Sequence, residues 1–371
     1  MSRESLKKDL RDLVYLVSCA IKEQKPDPEV VGAMDLTAVF SLAKAHSLSG
    51  MAAFVVEAAG FRSEKTTRIL SDVVRRHVRF TIDKEAIALK LKEADIWYVW
   101  LKGAVIEDYY PRPEMREMSD RDVLFDAERA QDVKVIMESL GYTVKSFGVY
   151  AHDVYFKPPV MNFEMHRVLF SKMEDKNVVI EYYKNVKNRL LGDGVEKHFS
   201  PEDFYVYLIA HEYKHFCNYG TGLRSVLDTY VYLSKVTLDE AYLNGEFEKL
   251  GLAEFEKANR SLAFHLFGDG KLTEEDKKML EYVFSSGTYG TISNHVSNKM
   301  HRKNWSKMRY ALSRFFVPIR KSNPDYDLFS RHYPFFYKHK FLMPLLPFYR
   351  VFKGIQSGKL QSEIKALKKT K

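Results

Sequence analysis

The spacing of apolar residues changes twice along this chain, and these changes constrain the fold more than any other feature. Residues 4–94 and the residues beyond 200 repeat apolar positions every three or four residues, which predicts helices. Between these regions the apolar residues fall in short runs rich in β-branched and aromatic side chains, which predicts strands. The sequence therefore predicts an α+β protein in which a small sheet is framed by helical regions.

The predicted strands are short and are bounded by turn residues. They are Trp97 to Leu101, Ser119 to Phe125, Tyr142 to Lys157 and Val160 to Leu169. A helix is expected over Glu128 to Leu140, and Pro158-Pro159 separates the last two strands. Ser200 and Pro201 predict the start of the next helix, because serine is a good cap and proline suits the first helical position.

These boundaries divide the chain into four parts. They are an N-terminal helical region at 1–94, a core at 95–195, a C-terminal helical domain at 196–300 and a basic aromatic tail at 301–371.

The composition excludes several classes of protein. Only two cysteines, Cys19 and Cys217, occur in 371 residues, which is too few for a disulfide framework or a structural zinc cluster. Proline and charged residues interrupt the apolar stretches, so no segment is expected to span a membrane. The first residues lack the apolar core of a signal peptide. We therefore expect a soluble, cytoplasmic protein.

The positive charge is concentrated in the tail. Residues 299–371 have a net charge of +15, whereas the rest of the chain has a net charge of −6. Aromatic residues alternate with these cations, a pattern typical of peripheral contact with an anionic membrane surface. Nucleic acid is a less favoured partner for the same pattern. The alternative is that the apolar side chains cover the core of the helical domain, in which case Phe335, Phe336, Leu345 and Phe348 are buried.

Two aspartates indicate where chemistry takes place. Asp120 and Asp122 are two residues apart on a predicted strand, so both side chains point to one face. Two neighbouring carboxylates repel each other unless a cation lies between them, and Mg²⁺ prefers such oxygen ligands. Glu164 lies on a later predicted strand, and a hairpin-neighbour position would bring it beside the aspartate pair. Three carboxylates in this arrangement are typical of metal-dependent phosphoryl transfer, although the aspartate pair alone also fits a solvated surface strand.

A possible phosphate contact precedes the aspartates. The first strand ends in Leu101-Lys102-Gly103, where a predicted helix begins. Exposed N–H groups at a helix start favour a phosphate there. Arg116 lies between this turn and the aspartate pair, and it fits either a phosphate clamp or a surface ion pair.

This ordered combination resembles the polymerase-β-like nucleotidyltransferases, and more closely a bacterial family of largely uncharacterised nucleotidyltransferases. The family pattern is a strand running into LKG, a YxP-type turn, an arginine and a DxD followed by apolar residues. Here it reads LKGAVIEDYYPRPEMREMSDRDVLF. The resemblance extends to FEMHRVL and to HEYKHF with GLRSVLDTYVYL, and so covers about residues 36 to 235. It implies a minimal polymerase-β-like core within the α+β fold.

The resemblance also implies roles for individual residues. Asp120, Asp122 and Glu164 would be the catalytic acids and would hold Mg²⁺ or Mn²⁺, and Glu164 could instead take a proton from the acceptor. The nucleotide triphosphate (NTP) would be contacted by Lys102, Gly103, Arg116 and Ser119. The substrate would be lined by His166, His211 and His215.

Two residues depart from the family pattern. Ala104 stands where polymerase-β-like enzymes generally supply a serine to the phosphates. Arg121 replaces the apolar residue that is usual between the aspartates. This extra cation could assist phosphate binding, or it could pair with an acid and reduce activity.

His211 to His215 also match the HExxH pattern of zinc proteases. A zinc site needs a third ligand, and FCNYGTGL supplies no histidine after the motif. We therefore expect these histidines to pack or to line a substrate, and Asp228 is a candidate hydrogen-bond partner for one of them.

The sequence thus predicts transfer of a nucleoside monophosphate from an NTP to an acceptor hydroxyl or phosphate, with release of pyrophosphate. A sugar, a small molecule or a peptide would be the acceptor. The alternative is a non-catalytic nucleotide-binding or scaffold protein whose basic tail contacts a membrane or a polyanion.

Overall fold

The N-terminal region folds into five helices that are fixed by local capping. The computed structural model describes residues 3–159, 161–171, 177–323 and 326–369. The helices are α1 (Arg3–Ile21), α2 (Pro28–Gly32), α3 (Leu36–Ala45), α4 (Ser49–Ala58) and α5 (Glu64–Glu93). Asp35 caps α3, and Ser63 forms a reciprocal capping box with Thr66 at the start of α5. The helical pattern before Gly60 is interrupted at Ser47, whose φ of 54° cannot continue a right-handed helix.

A mixed sheet follows the helices. Its strands are β1 (Tyr98–Trp100), β2 (Arg121–Phe125), β3 (Thr143–Ser146), β4 (His152–Lys157), β5 (Met161–His166), β6 (Leu190–Leu191) and β7 (Glu196–Phe199). In the described residues the strand order is β3-β4-β5-β2-β1-β7-β6. Helices α6 (Gly103–Ile106) and α7 (Ala130–Ser139) connect the early strands. The fold is α+β, as the sequence predicted, and β7 extends the sheet past residue 195.

Three sequence predictions about the strands needed correction. The run Tyr142 to Lys157 is two antiparallel strands, β3 and β4, because the chain turns at Gly148, which has a φ of 69°. Asp120 precedes β2 instead of lying within it. The last strand ends at His166 instead of Leu169, and Val160 lies outside the described residues.

Both faces of the sheet are covered, which explains why β1 and β2 are buried along their whole length. On one face Tyr98 and Trp100 pack with α5 and α7 in a core that includes Phe80 and Val133. On the other face Val99 joins a larger core made with the N-terminal and C-terminal helices. Alternate residues of one strand thus contribute to two cores.

The C-terminal half is helical. Up to residue 303 its α-helices are α8 (Asn177–Tyr183), α9 (Pro201–Asn218), α10 (Leu223–Lys235), α11 (Glu240–Leu250), α12 (Ala253–Phe267), α13 (Glu274–Ser286) and α14 (Ile292–Lys303). The tail contains α15 (Lys307–Ser313), α16 (Tyr326–His332), α17 (Pro334–Lys338), α18 (Leu346–Gln356) and α19 (Lys359–Lys369). The predicted start of α9 is confirmed, since the Ser200 side chain accepts a hydrogen bond from the Asp203 N–H.

Three of the four tail residues that were candidates for covering the core lie at the surface. Phe335, Leu345 and Phe348 are exposed, and only Phe336 is partly buried. Among the described residues, none of the helices has both the length and the apolar character needed to cross a bilayer.

Candidate active site

The sheet brings two of the predicted acids together. In the parallel pairing of β2 with β5, Asp122 is the register partner of Glu164. Both side chains therefore lie on the same face, because residues on neighbouring strands share their orientation. The expected neighbour relationship is present, but the two strands are parallel instead of forming a hairpin.

The third acid, Asp120, lies one residue before β2. Burial raises the pKa of its carboxyl group, and the negative charge of Asp122 raises it further. Lys102, Arg224 and a hydrogen bond from Ser119 act in the opposite direction. Asp120 and Asp122 are thus close enough to disfavour each other's ionisation.

Lys102 and His166 both hold Asp122. The Lys102 Nζ atom donates to Asp122 Oδ1 at 2.6 Å, and His166 Nε2 lies 2.8 Å from the same oxygen. Burial alone would raise the pKa of Asp122, but Lys102 and His166 outweigh it and hold the pKa well below its usual range. Asp122 is therefore ionised at neutral pH, although it is buried.

The pKa of Glu164 is shifted in the opposite direction from that of Asp122. Burial raises its pKa to about 8, with further contributions from Asp122 and Asp120. Its Oε2 atom lies 3.4 Å from His152 Nε2 and 3.8 Å from His166 Nε2. Ligand atoms of His152, Glu164 and His166 all lie within 4.8 Å of one another.

His152, Glu164 and His166 offer ligand atoms that lie close enough together for one divalent cation. Carboxylates that raise each other's pKa are stabilised when a cation lies between them. Oxygen ligands suit Mg²⁺, and an added imidazole is also compatible with Mn²⁺.

Gly103 is required for close packing. A Cβ atom at this position would lie 2.2 Å from Arg116 Nη1 and 2.5 Å from Met118 Sδ. The helix predicted here is a single turn, and the preceding Lys102 has a φ of 49°. The missing side chain at Gly103 therefore lets Arg116 cross directly over this turn, beside the residue that contacts Asp122.

Arg116 makes a buried ion pair with Asp228. Its Nε and Nη2 atoms donate to the two carboxylate oxygens at 3.0 and 2.7 Å, and Tyr110 Oη also donates to Asp228. Asp228 thus pairs with Arg116 and not with a histidine of α9. The Nε and Nη2 donors of Arg116 are occupied by Asp228. A contact between Arg116 and the nucleotide stays a prediction.

Arg121 points away from the carboxylates. It lies on the other face of β2 and is 1% exposed, with Nη2 donating to Glu107 Oε2 at 2.9 Å. Phe80 packs against its guanidinium. The extra cation between the aspartates therefore pairs with a different acid and does not neutralise Asp120 or Asp122.

Helix α9 contributes histidines and a lysine to the site. His211 and His215 are one turn apart, with 3.1 Å between their Nε2 atoms. One edge of the His215 side chain is exposed. Burial of its ring among the neighbouring side chains nevertheless lowers its pKa to about 3, and the positive charges of Lys102 and Lys214 lower it further. Burial likewise lowers the pKa of His211 far below its usual value, and Lys102 lowers it further.

Glu212 of the HExxH motif does not share the histidine face. It is buried and accepts a hydrogen bond from Asn259 Nδ2 at 3.2 Å. A zinc-protease arrangement would need this carboxylate beside the metal-bound water, so the match to that motif is incidental.

Three further residues of the site were not predicted from the sequence. On α9, Tyr207 lies four residues before His211 and Lys214 lies three residues after it, the two spacings that keep side chains close to one helix face. Arg224 lies in the first turn of α10, and its charge acts on Asp120 and on His215. The helical spacing from His211 was the available signal for the first two, whereas nothing in the sequence indicated Arg224.

Comparison with known proteins identifies one family. A family model described as an uncharacterised nucleotidyltransferase matches residues 32–268, which is more than half of the chain. The matched range contains every predicted site residue from Lys102 to His215. No curated protein and no solved structure matches the chain significantly.

Proposed function

This chain belongs to the family of uncharacterised nucleotidyltransferases, and we propose that it transfers a nucleoside monophosphate from an NTP to an acceptor hydroxyl or phosphate. The observation that carries the proposal is the register of Asp122 with Glu164, with Asp120 one residue before the strand. Acids grouped in this way beside a lysine are suited to phosphoryl chemistry.

A divalent cation, Mg²⁺ or Mn²⁺, is the expected cofactor. Asp120, Asp122 and Glu164 would hold it, with His152 as the neighbouring nitrogen donor. When bound, such an ion neutralises phosphate charge and makes the acceptor oxygen more nucleophilic.

The residues of this chain have separate tasks in the proposed reaction. Lys102, now donating to Asp122, is positioned to exchange that carboxylate for a phosphate of the nucleotide. His166 fixes the orientation of the Asp122 carboxylate through the contact at 2.8 Å. Glu164, beside both, is the base nearest to the aspartates in the strand register.

An acceptor oxygen attacks the α-phosphorus of the NTP and forms a new P–O bond. The bond from the α-phosphorus to the oxygen that bridges to the β-phosphorus breaks, and pyrophosphate leaves with the electron pair. A hydroxyl acceptor gives its proton to the ionised form of the Glu164 carboxylate, whereas an ionised phosphate acceptor has no proton to give.

The alternative is a non-catalytic nucleotide-binding or scaffold protein. One of its two supports in the sequence was Arg121, but the ion pair of Arg121 with Glu107 leaves the aspartates free of this cation. Ala104, which offers no hydroxyl to a phosphate, still favours the alternative. Turnover separates the two functions, because the alternative predicts nucleotide binding without pyrophosphate release.

The testing experiment is calorimetric titration with each of the four NTPs, in Mg²⁺, in Mn²⁺ and in EDTA. We expect metal-dependent binding of at least one NTP, lost in the double variant Asp120→Asn/Asp122→Asn. Asp193→Asn is the matched control, since that carboxylate is exposed and lies outside the site. Equal binding by the wild type and the double variant, or binding unaffected by EDTA, would contradict the proposed site.

A further inference from the structure

A large basic cavity lies between α9, α14 and the tail. Its volume is about 1070 Å³. Seven lysines and arginines line it, and no aspartate or glutamate does so among the described residues. Lys214 comes from α9, and three more cations come from α14, namely Lys299, Arg302 and Lys303. The other three lie further along the chain and are Arg309, Arg314 and Arg350.

Aromatic rings hold several of these cations in place. Lys303 and Arg309 lie over the ring of Trp305, and Arg350 lies over that of Phe329. Aromatic faces position a cation without cancelling its full charge. Arg314 is paired with Glu363, but the cations held by the rings keep the cavity positive, which an anionic ligand would stabilise.

The cavity adjoins the active site through α9. Ala210, Tyr213, Lys214 and Cys217 line the cavity, and this spacing of three and four residues defines one helix face. His211 and His215 occupy the neighbouring face, and Lys214 lies at the boundary. Its charge lowers the pKa of His152, His166 and His215, so it acts on the active site as well as on the cavity.

The tail also reaches the opposite side of the site. His332 Nε2 lies 2.6 Å from Tyr150 Oη, and Arg331 donates to the Gly148 carbonyl. Tyr150 stacks on His152, the neighbour of Glu164. The tail thus runs from the cavity to the strand that carries a candidate metal ligand.

We propose that this cavity binds the acceptor of the transfer reaction, and that the acceptor is a small molecule carrying a phosphate or diphosphate group. This inference rests on the proposed function and adds the substrate class. The nucleotide has its own cation, Lys102, beside the carboxylates. The cavity volume is typical of small-molecule sites, and Trp305, Phe316 and Phe329 supply apolar surface for an organic body.

Inorganic pyrophosphate in EDTA is the probe for the test, since the carboxylates repel it without a metal. We expect calorimetry to show salt-dependent binding to the wild type that weakens about tenfold or more in Lys303→Gln/Arg309→Gln. Both side chains are exposed and contact only the ring of Trp305 among the described interactions, so the fold should be kept. The matched control, Lys340→Gln/Lys353→Gln, removes the same charge from exposed tail positions outside the cavity.

The outcomes separate this proposal from the proposed function. If the affinity for pyrophosphate falls equally in both double variants, or if the wild type does not bind pyrophosphate, the cavity is not a phosphate site. If Lys303→Gln/Arg309→Gln also loses metal-dependent NTP binding, the cavity holds the nucleotide, and the acceptor assignment is wrong. If pyrophosphate binds as expected but no NTP binds, the phosphate site stands while nucleotidyl transfer fails. If a single-stranded oligonucleotide binds more tightly than pyrophosphate and is displaced by it, the ligand of the cavity is a nucleic acid and the small-molecule assignment is wrong.

Discussion

Asp122 and Glu164 lie side by side on neighbouring parallel strands, although the chain between them forms α7 and the β3–β4 pair. Parallel neighbours need such a crossover connection. A shift of one residue in the register would turn Glu164 to the opposite face. The candidate site therefore depends on how the whole sheet is assembled.

Replacing Lys102 should weaken nucleotide binding. In Lys102→Gln, we expect metal-dependent NTP affinity to fall about tenfold, because a charge-assisted contact to a phosphate is lost. Calorimetry measures the affinity. Lys184→Gln, which changes an exposed lysine outside the site, should bind as the wild type does. An unchanged affinity in Lys102→Gln would exclude Lys102 as the phosphate contact.

Arg121 should matter for stability and not for nucleotide binding. In Arg121→Met the buried Glu107 carboxylate loses its guanidinium partner and keeps only the neighbouring His77, which should lower the free energy of unfolding by about 3–5 kcal/mol. Glu107→Gln/Arg121→Met should recover much of this loss in chemical denaturation. If the folded Glu107→Gln/Arg121→Met variant binds NTP more weakly than the wild type, Arg121 acts on the phosphates after all.

A methyl group at Gly103 should disturb the Arg116 ion pair. Gly103→Ala places a Cβ atom 2.2 Å from Arg116 Nη1, so the guanidinium must move away from Asp228. We expect a loss of about 1–3 kcal/mol of stability. Gly245→Ala is the control, because that glycine lies in α11 with nothing within 4 Å of its added Cβ. The control should be neutral or slightly stabilising, and equal effects in the two variants would contradict the steric explanation.

The tail should bind anionic vesicles. Phe341 and Phe348 are 78% and 68% exposed in a region with a net charge of +15. Aromatic residues among cations favour the interface of an anionic bilayer. We expect co-sedimentation with phosphatidylglycerol-containing vesicles that exceeds that with pure phosphatidylcholine and falls about tenfold or more in Phe341→Ser/Phe348→Ser.

The control for vesicle binding uses exposed apolar residues outside the tail. Leu89→Ser/Val135→Ser removes two such side chains, and it should bind vesicles as the wild type does. Equal loss in both double variants, or no preference for anionic lipid, would remove the tail as a membrane contact.

The sequence predicted those parts of the site that depend on local periodicity. Alternation along one strand puts Glu164 and His166 on the same face, and the order of LKG and DxD matched the family pattern. The helix start at Ser200 also followed from a local signal. These features are fixed by a few neighbouring residues and can be predicted without knowledge of the fold.

Features that depend on distant contacts could not be predicted. The turn that divides β3 from β4 is held by buried Asp153, which accepts from the Gly148 N–H and from Arg167. Arg116 and Asp228 are far apart in the sequence, and only the packing of α10 against the sheet connections brings them together. The cavity likewise needs the tail to fold back onto α9. Local spacing carries no information about such pairings.

Buried Glu212 gives the protein a stability that depends on pH. Burial raises the pKa of this carboxyl group to about 8, and the charge of Asp228 raises it further, whereas the Asn259 hydrogen bond lowers it. Because the pKa is higher in the folded state than the ordinary value of 4.5 for an exposed glutamate, the folded state retains the proton more strongly. The resulting stabilisation is fully present below pH 4.5 and is lost as the pH rises through 8.

Glu212→Gln should remove this pH dependence. The amide keeps an oxygen to accept from Asn259 Nδ2 and cannot ionise, so the variant no longer has to bury a charge or retain a proton. By pH 7 the wild type should have lost on the order of 3 kcal/mol from this group. Melting temperatures measured from pH 5 to pH 9 should therefore fall more steeply for the wild type than for Glu212→Gln. Exposed Glu248 supplies the matched control: Glu248→Gln should follow the wild-type curve, and parallel curves for the wild type and Glu212→Gln would show that Glu212 is not the group responsible.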